Sequence, residues 1–167
     1  MPRRVFYSFH FDDDNWRLWQ IRQMGAIEGQ RIVNAGEWEA IERKPEGVKR
    51  WIDAEMHGKS CVVVLIGSRT YTRPWVDYEI RKGWTAGKGV LGVHIHSLKD
   101  VNGYICPRGP SPFTSISLNN GKSLSDYVPI LDPVGVDSKA IYASIEQSLP
   151  AWIDYAIKVR EDLARAA

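Results

Sequence analysis

The chain has 167 residues, 44% hydrophobic and 25% charged, with a formal net charge of +2. That length fits one domain with a core large enough to stand without disulfides or metal. A charge so small, with acids and bases interspersed, argues against nucleic acid or an anionic membrane as main partner.

Only two cysteines occur; Cys61 lies inside an apolar run, and no Cys/His spacing suggests zinc, so no metal site is expected. The segment Met1-Pro2-Arg3-Arg4-Val5-Phe6 is unlike a signal peptide, and no run approaches the roughly 20 apolar residues of a membrane span. A cytoplasmic location is expected.

Residues 5–9 form an apolar and aromatic run, a natural first strand. Asp12, Asp13 and Asp14 then announce a helix, with Trp16, Trp19, Gln20 and Gln23 at helical spacing and a close at Met24-Gly25. A brief second strand is expected at residues 31–33 and a polar loop at 34–44. Pro45 opens the next helix at a position where proline costs nothing; Val48, Trp51 and Ile52 give its apolar stripe and Gly58 ends it. Residues 60–66 have the unbroken apolar character of a strand covered on both faces. A helix over 74–86 and a buried strand over 89–95 follow. Residues 100–137 hold five of the nine prolines and read as a long functional or capping loop, with a short strand at 127–131. Ser138 can cap a closing helix over 138–165, in which Pro150 predicts either a kink or two consecutive helices.

This alternation predicts a single α/β domain over 1–167: a three-layer sandwich whose central, mainly parallel sheet has the flavodoxin-like order 2-1-3-4-5, with helices on both faces. Such sheets place their sites at the carboxyl ends of strands, beside the reversal of strand order. The two ends that matter are Ser8-Phe9-His10 and Gly67-Ser68. After the second, Trp75 and Glu79 stand four apart on the first turns of a helix, one face toward the crevice. Spacing alone favours reading Glu79 as a surface acid.

The sequence Arg4-Val5-Phe6-Tyr7-Ser8-Phe9-His10 with Asp13-Asp14-Asn15-Trp16-Arg17 is one of several ordered motifs. Val64-Leu65-Ile66-Gly67-Ser68 with Tyr71, Trp75 and Glu79 is the second, and Gly92-Val93-His94-Ile95-His96 with Leu98-Lys99-Asp100 the third. Together they resemble TIR domains, and more closely the TIR-like proteins of bacterial Thoeris antiphage systems. The likeness covers residues 4 to 100, and Ser111-Pro112-Phe113 extends it. It implies a TIR-like fold and cleavage of the nicotinamide–ribose bond of NAD, with Glu79 matching the essential acid and Trp75 the tryptophan before it. It also implies a cyclic ADP-ribose-type signal that activates a separate effector protein, under a phage-derived trigger. NAD is then substrate, and no cofactor is expected.

Ser8, Phe9, His10, Asp12, Ser68 and Tyr71 are the further substrate-binding candidates. Each has a plainer reading: Phe9 as core, Ser8 and Ser68 as turn or cap residues, Asp12 as a helix-start acid. His94 and His96 alternate on a strand and should share a sheet face. The loop motif that eukaryotic-type TIR domains use in self-assembly has no counterpart in 34–44, which leaves a homo-oligomer open and its route unspecified. The rival readings are a non-catalytic TIR-type interaction module, a hydrolase of another N-glycosidic bond, and a receiver domain. The last fails because the central strand ends in Gly67-Ser68 where it needs an aspartate.

Overall fold

The computed structural model describes residues 3–25, 27–31 and 35–166. Five strands, β1 (Arg3–Ser8), β2 (Ile27–Glu28), β3 (Cys61–Ile66), β4 (Gly89–His94) and β5 (Ile130–Leu131), form one sheet in the order β2-β1-β3-β4-β5. All neighbouring pairs are parallel. This is the three-layer sheet expected of the sequence. The helices are α1 (Phe11–Arg22), α2 (Ala35–Glu42), α3 (Pro45–Met56), α4 (Pro74–Thr85) and α5 (Ser138–Ala166).

β3 is the axis of the molecule because every one of its side chains is apolar and buried. Its pleat sends Cys61, Val63 and Leu65 to one face and Val62, Val64 and Ile66 to the other. The first face packs with Leu18 and Ile21 of α1 and with Ile145, Leu149 and Ile153 of α5. The second packs with Val48 and Ile52 of α3 and with Val76 and Ile80 of α4. Each such side chain contributes about 1.5–3 kcal/mol by leaving water. Pro45 and Pro74 stand in the first turns of α3 and α4, where their missing N–H is not needed.

Three expectations change and a fourth, at Pro150, is narrowed. β2 is a two-residue strand at Ile27–Glu28, paired with Arg3 and Arg4. Arg31 lies in no strand, and residues 32–33 fall outside the described residues. The apolar Ile27 enters the core at this earlier position. The hydrogen bonds that a longer β2 would give Tyr7 come from the Gln30 side chain, which accepts from Tyr7 N and donates to Tyr7 O, both at 2.8 Å. The 34–44 stretch is not a loop: α2 occupies Ala35–Glu42, with Trp38 and Ile41, one turn apart, packed on the second core face. α5 is a single helix through Pro150, not two. The proline costs about 3 kcal/mol, less than the burial of Ile141, Ile145, Leu149 and Ile153 on one stripe. The short strand in the 100–137 segment is reduced to Ile130–Leu131, and the segment itself is packed: Phe113, Ile116, Leu124 and Val128 are buried on the sheet. No helix among the described residues is long and apolar enough to cross a membrane.

Candidate active site

Val76, Glu79, Ile80 and Gly83 are the residues of α4 that turn to the sheet. Glu79 therefore sits in an apolar stripe and is 7% exposed. Its Oε1 accepts a 3.0 Å hydrogen bond from the hydroxyl of Ser8, the fully buried last residue of β1. No cation pairs with it among the described residues. Burial without a counter-charge pushes its carboxyl up to about 8, and the Ser8 hydroxyl pulls the other way.

Glu79 forms part of a pocket at the carboxyl end of β1. Aromatic rings wall it in a chain: Phe9 meets Phe11 at 6.2 Å, Phe11 stacks on Trp38 at 5.7 Å, and Trp38 meets Trp51 edge-on at 5.6 Å. Along α1 the lining residues are Phe11, Asn15, Leu18 and Arg22, spaced 4-3-4 and so on one helix face. About 50 Å³ is enclosed, within an opening of about 500 Å³ that is continuous with solvent.

Ser8, Phe9 and Glu79 are thus brought together, though Ser8 is committed to Glu79. The other candidates lie elsewhere. Asp12 and Ser68 line a second groove of about 660 Å³ with Asp13, Arg69 and the stacked pair Trp16 and Trp19; Asn15 borders both cavities. His10 caps α1: its Nδ1 accepts from Asp13 N at 3.1 Å. Burial lowers its pKa, which keeps the lone pair that the cap needs. Tyr71 is 52% exposed on the turn Thr70–Thr72. Trp75 packs edge-on against Tyr78 at 5.7 Å, on the flank of α4 and outside the pocket. The rings of His94 and His96 lie 5.7 Å apart, edge to face, and among the described residues no three ligand-type side chains gather for a metal.

Sequence reasoning missed Tyr7, Asn15, Arg22, Gln30, Trp38 and Trp51 as pocket residues. The α1 stripe carried a signal: a polar Asn15 and Arg22 on the same helix face as Phe11 and Leu18. Beside it, Arg17 is buried against Asp14 at 2.8 Å and donates to the carbonyls of Leu98 and Tyr104, which fastens the 98–104 turn over α1.

The family described as "Thoeris protein ThsB, TIR-like domain" matches residues 6–100. A Bacillus cereus (strain MSX-D12) protein named "Putative cyclic ADP-D-ribose synthase ThsB1" is 34% identical over 136 residues, 76% of this chain and 71% of the relative.

Proposed function

This chain belongs to the ThsB family of TIR-like Thoeris defence proteins, and we propose on that premise that it cleaves the nicotinamide–ribose bond of NAD and forms a cyclic ADP-ribose-type product. The observation that carries the reading is Glu79: a carboxyl buried beside an aromatic-walled pocket, held by one hydroxyl and, among the described residues, in no ion pair.

The chemistry follows from that setting. As the C1′–N bond breaks, its electron pair leaves with nicotinamide and positive character develops on the ribose. Glu79 in its carboxylate form stabilises that charge and accepts from the ribose hydroxyls. The cationic nicotinamide ring of bound NAD favours that ionised form. Phe9, Phe11 and Trp38 exclude water, so a nucleophile from the same molecule, an adenine ring nitrogen or a hydroxyl oxygen, closes on C1′ while a proton leaves the adenine amine or that hydroxyl. Where water reaches C1′ first, the product is ADP-ribose. The cyclic nucleotide is the means of reaching a separate effector protein, and a phage-derived cue is the trigger.

Purified protein given NAD at pH 8.5 together with lysate of phage-infected cells should release nicotinamide, with the cyclic product resolved by mass spectrometry, and Glu79→Gln should abolish both. The same nucleotides should appear in infected cells. No turnover in infected cells, with protection unchanged by Glu79→Gln, would sink the reading in favour of a non-catalytic interaction module.

A further inference from the structure

Tyr7, which lines the Glu79 pocket and is 1% exposed, carries a buried hydroxyl with no hydrogen-bond partner among the described residues. A buried hydroxyl left unmet is costly, and native proteins rarely keep one without a reason. Its surroundings suggest the reason. Arg22 lines the same pocket one helix turn beyond Leu18, at the opposite end of the α1 stripe from Phe11 and about 16 Å along the helix from it. The two groups converge across Gly29: a Cβ there would lie 2.6 Å from Tyr7 Cε2 and 2.8 Å from Arg22 Nη1.

Arg22 donates Nη1 to the carbonyl of Gln30 at 2.6 Å, which fixes its guanidinium, and among the described residues no carboxylate pairs with it. Its remaining N–H groups form the planar fork that suits a phosphate. Asn15, on the same stripe, adds an amide. The pocket therefore carries both signs: the Glu79 carboxyl beside Ser8, and the guanidinium groups of Arg22 and Arg31, with Arg22 nearest the Tyr7 ring across Gly29. The partial negative charge at the C-terminus of α1 opposes an anion there, but it is weaker than charge-assisted bonds from Arg22.

We propose that the Tyr7 hydroxyl and Arg22 form the diphosphate-binding end of this pocket, which orients a dinucleotide with its reacting ribose at Glu79. The proposal rests on the NAD-cleaving reading for the identity of the substrate, but its test does not depend on turnover. Tyr7→Phe removes only an atom without a partner, so the fold should keep or slightly gain thermal stability. Binding of ADP-ribose, measured by calorimetry on the full chain, should weaken about tenfold in Tyr7→Phe and at least tenfold in Arg22→Gln. Glu79→Gln should retain phosphate-dependent binding, and nicotinamide riboside, which lacks phosphate, should be indifferent to both substitutions. Wild-type affinity for ADP-ribose in both variants, or no binding by the wild type, would overturn the subsite. A wild type that cleaves no NAD even with lysate of phage-infected cells, yet loses ADP-ribose with Tyr7→Phe, would overturn the catalytic reading and leave the subsite standing.

Discussion

The carboxyl of Glu79 is held by one hydroxyl in a place where water barely reaches, and its titration should be visible in both rate and stability. With the group near 8 in the folded protein, kcat/KM for NAD should climb from pH 6.5 to pH 9 as the carboxylate forms. The ordinary carboxyl value is 4.5, so the folded chain holds this proton more tightly than the unfolded chain does. The resulting stability is complete below 4.5 and is lost as pH rises through about 8. Glu79→Gln has no such titration. Its stability advantage over the wild type, read by chemical denaturation, should widen by on the order of 3 kcal/mol between pH 5 and pH 8.5. Ser8→Ala deletes the bond that draws the carboxyl value down, so the pH–rate limb should move to higher pH, with a larger loss at pH 7 than at pH 9. Ser8→Thr should restore it in part, and an unshifted limb would show that Ser8 is merely packing. Both residues were legible as site candidates, but their bond was not, because Ser8 and Glu79 are 71 residues apart and meet only where α4 packs on the end of β1. His10 was equally hidden: histidine is not among the preferred N-caps, and only the observed Asp13 N bond identifies it as one.

At the scale of elements, legibility tracked how one-sided the pattern was. β3 could be read directly, since six consecutive buried apolar residues leave few alternatives. α2 could not, because Trp38 and Ile41 are its only large apolar residues in a charged stretch and give no sustained period. Yet α2 puts the Trp38 ring over the pocket, stacked on Phe11 and edge-on to Trp51. The enclosed space of about 50 Å³ is well below the roughly 300 Å³ at which ligand pockets begin. A dinucleotide needs more room than this, and the Trp38 ring is one of the walls that border it. Trp38→Ala should cost about 1–3 kcal/mol of stability. It should also raise the ratio of ADP-ribose to cyclic product, measured by mass spectrometry, because water then competes for C1′. An unchanged ratio would show that the ring does not seal the reaction.

Across the whole molecule, the sheet order and the layering followed from strand–helix alternation, whereas the joints between layers did not. One such joint is Arg17, which is 2% exposed and ties Asp14 of α1 to the backbone of the 98–104 turn. Arg17→Ala strands a buried carboxyl, and the loss should reach about 3–5 kcal/mol at neutral pH. Burial already lifts Asp14 to about 6 and Arg17 pulls against it. Without the arginine its carboxyl stays protonated to still higher pH, so the penalty in Tm should shrink at pH 5. Another joint is Gln30. β2 stops at Glu28, and from there the flank of β1 is closed by an amide side chain instead of a neighbouring strand. An unpaired strand flank is the template on which identical chains stack edge to edge. Gln30 leaves no such flank at Tyr7, since it occupies both backbone groups there. Gln30→Met, of similar volume but unable to bond Tyr7 N or O, should leave monomer peaks in size-exclusion chromatography that convert with time to β-rich, thioflavin-positive assemblies. The open side of the pocket thus borders a strand flank whose polar groups a single glutamine satisfies.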